Sequence, residues 1–113
     1  MADLDTLRAT ALGYPEAAEE FPWGERVVKV RGKIFVFLNQ GDRVVVTLKL
    51  RASHGEAMSM PFVRATGYNL GRAGWITAHF AQGEALPLGM LTAWIDESYR
   101  LVAPKSLVKR LGT

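Results

Sequence analysis

Residues 26–50 read RVVKVRGKIFVFLNQGDRVVVTLKL. Three runs rich in valine, leucine and phenylalanine are separated by two short polar breaks. β-branched and aromatic residues suit a pleated strand. Connections this short join antiparallel neighbours, because parallel strands need a crossover of roughly a dozen residues or more. In the first run Val28 and Val30 share one face, with Val27, Lys29 and Arg31 on the other. The middle run, IFVFL, is apolar throughout and predicts a central strand covered on both faces. The third turns Val44, Val46, Leu48 and Leu50 inward, and Val45, Thr47 and Lys49 outward. Gly32-Lys33 and the NQGDR segment supply the turns. An antiparallel meander of three strands follows.

Helical spacing flanks this meander. Leu4, Leu7, Ala11 and Leu12 predict a short amphipathic N-terminal helix, with Asp3 as its N-cap and Gly13 and Pro15 as its stop. PEAAEEFPWGE predicts one helical turn from Pro15, then a break at Pro22 and Gly24 where Phe21 and Trp23 pin the chain to the core. ASHGEAMSM predicts a weak helix with Ala57, Met58 and Met60 over the sheet. PFVRAT predicts a short extended piece and WITAHF a strand, with Trp75, Thr77 and His79 alternating against Ile76, Ala78 and Phe80. PLGMLTAWIDESYRLV predicts the longest helix, with Leu91, Trp94, Ile95, Ser98 and Val102 on its apolar stripe. Pro104 ends it, and KSLVKRL predicts a basic tail helix. The expected fold is α+β. It is a two-layer domain in which the meander, with one or two further strands, is covered by N- and C-terminal helices. At 113 residues the whole chain, 1–113, reads as a single domain.

Charge is unevenly placed. Residues 1–25 carry six acidic side chains against Arg8 alone. Residues 26–75 carry nine basic side chains against Asp42 and Glu56. A basic middle is a footprint for an anionic partner. Cysteine is absent, which excludes disulfides, thiolate chemistry and cysteine-type zinc sites, and fits a cytoplasmic protein. The acidic start MADLDTLRAT lacks the basic opening and apolar core of a signal peptide, and no apolar run reaches membrane-spanning length. No membrane partner is therefore expected.

Catalytic signatures are missing. His54 and His79 have no neighbours at metal-ligand spacing, and Ser53 and Ser59 lie in no nucleophile context. Glycines occur in "GKIF" and "GYNLGRAGW", yet neither has the spacing of a phosphate loop or a dinucleotide fingerprint. Glu16, Glu19 and Glu20 form an acidic cluster that is either a solvated face or a site for a hard cation. The expectation is no metal, no cofactor and no enzymatic activity. The stretch GYNLGRAGW, 67–75, has two readings. In one, Gly67, Gly71 and Gly74 supply positive φ angles while Tyr68 and Trp75 pack against the core. In the other, Arg64, Asn69 and Arg72 face an anion, and Tyr68 or Trp75 stacks on a base.

The order of these segments resembles the MmcQ/YjbR family of small bacterial proteins. ALGYPEAAEEFPWGE is similar to that family's opening segment, VVKVRGKIFVFL to its hairpin, VTLKL to its next strand, GYNLGRAGW to its loop and WIDESYRLVAPKSL to its last helix. Gly71-Arg72 stands where Asn-Lys is usual, and Gly74 where His is common before the tryptophan. The resemblance implies a double-wing arrangement similar to the frataxin-like fold, and a DNA-binding role assigned to members by fold similarity to a phage transcription-factor domain. The expected function is non-catalytic DNA binding by phosphate contacts. The expected surface is the sheet and its loops, with Lys29, Arg31, Lys33, Lys49, Arg64, Asn69 and Arg72, in a monomer. The alternatives are a cytoplasmic protein-interaction or regulatory module without nucleic acid, and an enzyme or metal carrier on the frataxin-like scaffold that binds iron through the acidic cluster.

Overall fold

The computed structural model describes residues 2–67 and 70–111. The chain runs α1 (Ala2–Leu12), β1 (Ala17–Glu20), a 3-10 turn (Pro22–Gly24), β2 (Val27–Val30), β3 (Lys33–Gln40) and β4 (Arg43–Lys49). It continues through α2 (His54–Met58), β5 (Val63–Ala65), a second 3-10 turn (Leu70–Ala73), β6 (Trp75–Ala81), α3 (Leu88–Val102) and α4 (Lys105–Lys109). The strands form one six-stranded antiparallel sheet in the order β1-β2-β3-β4-β6-β5. The expected meander is β2-β3-β4. The strand missed in sequence is β1, because AAEE reads as helical by propensity. Pairing with the edge of β2, where Ala17 meets Val30 and Glu20 meets Val27, overrides that preference.

The β2–β3 hairpin turns on Arg31-Gly32, one residue earlier than Gly32-Lys33. Both residues have positive φ, 50° and 80°, as a two-residue type I′ turn requires. In β3 a bulge opposite Val28/Lys29 inserts Phe35, so Phe35 and Val36 are both fully buried.

One face of the sheet carries the core. Val28, Val36, Leu38, Val46, Leu48, Ile76, Ala78 and Phe80 pack there against Leu4, Leu7 and Ala11 of α1 and Leu91, Trp94 and Ile95 of α3. Ala57 of α2 and Leu107 of α4 belong to the same cluster, so every helix lies on this side. Phe21 does not pin its segment to the core: it is 57% exposed and lies 5.9 Å from the Arg26 guanidinium carbon. Asp3 is not an N-cap, since α1 begins before it; its Oδ2 instead accepts the Leu86 N–H at 3.0 Å.

Four consecutive residues of α3 lock the layers together. Asp96 accepts from the Tyr14 hydroxyl at 2.8 Å and from Arg100 Nε at 2.7 Å. Glu97 accepts from Arg51 N at 2.6 Å, Ser53 N at 3.2 Å and Ser53 Oγ at 2.7 Å. Ser98 is fully buried; its hydroxyl donates to Phe35 O at 2.6 Å and accepts from Lys49 N at 3.0 Å. Tyr99 donates to Pro15 O at 2.8 Å, stacks on Tyr14 and meets Phe35 edge-on. Phe35 has no register partner in β2 or β4, and its carbonyl accepts from Ser98 instead.

Replacing Ser98 by alanine strands a buried acceptor and a buried donor. Chemical denaturation should show Ser98→Ala less stable by about 1–3 kcal/mol; an unchanged midpoint would mean that water takes over both bonds.

Candidate nucleic-acid interface

Among the described residues, no α-helix packs on the second face of the sheet. Strand register assigns its side chains, because paired residues point the same way. Along the β4–β6 ladder, Arg43 pairs with Ala81, Val45 with His79, Thr47 with Thr77 and Lys49 with Trp75. Phe37 lies beside Thr47 on β3, and its ring meets Trp75 edge-on at 6.1 Å. Trp75 thus packs on this face and not into the helix-covered core. Thr77 Oγ1 links Thr47 and Thr66 at 3.1 and 3.0 Å.

A depression of about 520 Å³ opens at one end of this ladder, lined by Lys49, Arg51, His54 and Arg72 with the 71–74 backbone. Its walls are held by short-range geometry. Gly74 O accepts the Leu50 N–H at 2.9 Å, drawing the loop onto the end of β4. A Cβ at Gly74 would sit 2.4 Å from Leu50 O, and its φ is +97°. Only glycine fits there. Gly71 has no positive φ, but a Cβ would press Thr66 O at 3.0 Å. Gly67 has open space and no positive φ, so the expectation of three positive-φ glycines reduces to one. Tyr68 and Asn69 lie outside the described residues.

Glu97 builds the opposite wall by gathering the 51–53 backbone. Burial alone would raise its pKa, but the hydrogen bonds from residues 51–53 outweigh burial and hold the carboxyl below its ordinary range. A depressed folded pKa adds stability that is fully present above the unfolded value, about 4.3. That stability is lost as pH falls through the folded value.

A second depression, of about 510 Å³, lies at the other end of the ladder, lined by Arg43, Arg64, His79, Glu84, Pro61 and Phe62. Arg64 Nη1 donates to Pro61 O and Val63 O, both at 3.0 Å, which fixes the guanidinium in place.

A family model for YjbR matches residues 12–101. The chain belongs to the YjbR family. It is also similar to the crystal structure of Deinococcus radiodurans protein DR2400, described with a DUF419 family-model domain. The TM-score is 0.72 at 25% identity, over 96% of this chain and 87% of that one. No curated protein matches the chain.

Within this YjbR fold the basic residues expected at the interface separate into groups. Lys49 and Arg72 come together as expected. Arg64 stands apart from them in the second depression. Lys29 is on the open face but pairs with Glu20 at 3.1 Å. Arg31 is bound by Glu16 through two contacts of 2.6 and 2.9 Å, and Glu16 also takes Arg110 at 3.7 Å. Lys33 pairs with Val30, whose side chain is in the core, so Lys33 stands on the helix side. The carboxylates of the acidic cluster part company in the same way. Glu19 binds Arg8 at 2.5 Å on the helix side, while Glu20 faces Lys29 and Glu16 holds Arg31. Among the described residues no group of three or more histidines and carboxylates converges as a metal site needs. No helix among them is long and apolar enough to cross a membrane.

Sequence reasoning missed Arg43, Arg51, His54 and His79. Arg43 shares strand parity with Lys49, so the period of β4 marks it; Arg51 and His54 follow β4 in irregular chain and carry no such signal.

Replacing Glu97 by glutamine should flatten the acid limb of the stability profile below about pH 5. Thermal melts between pH 3 and 7 read this out, and a profile parallel to wild type would remove Glu97 from the acid response. Gly74→Ala should destabilise by at least about 1–3 kcal/mol, and Gly67→Ala should be nearly neutral by the same denaturation assay.

Proposed function

We propose that this chain binds nucleic acid without catalysis, through phosphate contacts on the helix-free face of the sheet, centred on the Lys49–Arg72 depression. One observation carries this reading. Arg43, Lys49, Arg51, Arg64 and Arg72 line the two depressions, and among the described residues none is in an ion pair. The basic side chains of β2 and its turn, by contrast, are neutralised by the acidic N-terminal segment. Arg43, Lys49, Arg64 and Arg72 stand at the two ends of the β4–β6 ladder against one carboxylate, Glu84, while Arg51 also borders Asp96 and Glu97 of α3. The excess of cations at the ladder ends leaves a local positive field that attracts a polyanion.

Phosphate contacts of this kind give affinity with little sequence preference, and the affinity falls steeply with salt. Fluorescence anisotropy with labelled random-sequence DNA at roughly 50 and 200 mM salt tests the reading. Binding should weaken by about a hundredfold or more across that range if several phosphates are neutralised. Lys49→Glu with Arg72→Glu should weaken binding and lower the salt slope by roughly two. Removing the neutral pair together, Glu16→Gln with Arg31→Gln, should have little effect, because the net charge there is unchanged. Equal losses from both sets of variants, or no binding at low salt, would overturn the assignment.

A further inference from the structure

The form of the nucleic acid is also written in this face. Duplex readers place a helix or a two-stranded ribbon in the major groove. Among the described residues, the four α-helices all contribute to the core on the opposite side of the sheet. The β2–β3 ribbon has its tip arginine tied to Glu16, and the β3–β4 ribbon ends on Gly41-Asp42, an acidic tip. Each ribbon tip thus sets a carboxylate beside an arginine, Glu16 on Arg31 and Asp42 next to Arg43 in the chain, which weakens its pull on a phosphate groove. The open face offers a different arrangement. Its two depressions, one lined by Lys49 and Arg72 and the other by Arg43 and Arg64 with one carboxylate, Glu84, lie at opposite ends of one ladder, marked by the Lys49–Trp75 and Arg43–Ala81 pairs. Six strand steps separate those pairs, about 20 Å at ~3.4 Å per residue. Neither β4 (RVVVTLK) nor β6 (WITAHFA) contains an acidic residue. Trp75, half-buried and braced edge-on by Phe37, stands at one end of this path.

We propose that the ligand is a single strand laid along the β4–β6 ladder. Its phosphates rest in the two end depressions and a base stacks on Trp75. This rests on the phosphate reading above and narrows its ligand. Single-strand sites combine a cationic track with an aromatic platform and engage about 4–16 nucleotides, which suits this span.

The test is competition between unlabelled oligonucleotides at low salt: thymidine tetramers and octamers, uridine octamers, and a duplex of equal length. Octamers should bind at least about tenfold tighter than the duplex, and tighter than tetramers that reach only one depression. Trp75→Ala should weaken octamer binding roughly five- to a hundredfold, the range for loss of one stacked base. Trp75→Phe, which keeps an aromatic face, should retain most of it. In the unaltered protein, octamer should shift the Trp75 indole N–H resonance while that of buried Trp94 stays in place. The thymidine and uridine arms tell DNA from RNA as the source of the strand, and preference for either supports the proposal. Duplex binding as tight as single-strand binding overturns the proposal and leaves the phosphate reading standing. Single-strand binding with an unmoved Trp75 resonance overturns the path along the ladder. No binding of any oligonucleotide removes both.

Discussion

The fold turns on a buried hydroxyl. A strand that bulges loses a ladder partner, and the loss is tolerable only if the stranded carbonyl finds a donor. Ser98 is that donor for Phe35, and the same oxygen accepts the last N–H of β4 at Lys49. One atom therefore ties α3 to both β3 and β4. The neighbours of Ser98 extend the lock in three directions. Asp96 reaches the α1–β1 connection through Tyr14, Glu97 gathers the chain that leaves β4, and Tyr99 closes over Pro15 and Phe35. This cluster is structural in every member, yet the candidate interface depends on it, because Arg51 and His54 are placed by the segment that Glu97 holds.

Charge is organised by folding. In the chain, an acidic stretch precedes a basic one. In the structure the acidic stretch becomes β1 and its approach, lying against β2, so Glu16, Glu19 and Glu20 meet Arg31, Arg8 and Lys29. The exposed pairs among these, Glu16–Arg31 and Glu20–Lys29, add modest stability. Their larger effect is subtractive: they remove one set of cations from the surface field and leave the set around β4, β5 and β6.

The meander, the long helix and the face assignments of Val28, Val30, Val44, Val46 and Leu48 were legible because alternation and helical period report burial directly. β1 was not, since alanine and glutamate favour helix in isolation and only the edge of β2 makes them extended. The site was legible in part. Strand parity puts Lys49 on the open face, and a glycine-rich stretch marks a constrained loop. No local pattern tells that Arg31 would be held by Glu16, because a long-range ion pair depends on the folded path. Nor does composition separate Gly74, pressed against Leu50 O, from Gly67 in open space. That distinction lies in the approach of β4.

The strand order leaves β1 and β5 as the two rims of the sheet, and both are short: four residues and three. Exposed rims are templates on which other chains can add strands and aggregate. Here β1 carries Glu19 and Glu20, paired with Arg8 and Lys29, and β5 presents the exposed Arg64. The longer, apolar strands β3 and β4, which would be hazardous at an edge, are interior. The same connectivity that places β6 between β4 and β5 thus also protects the protein from self-association through its backbone.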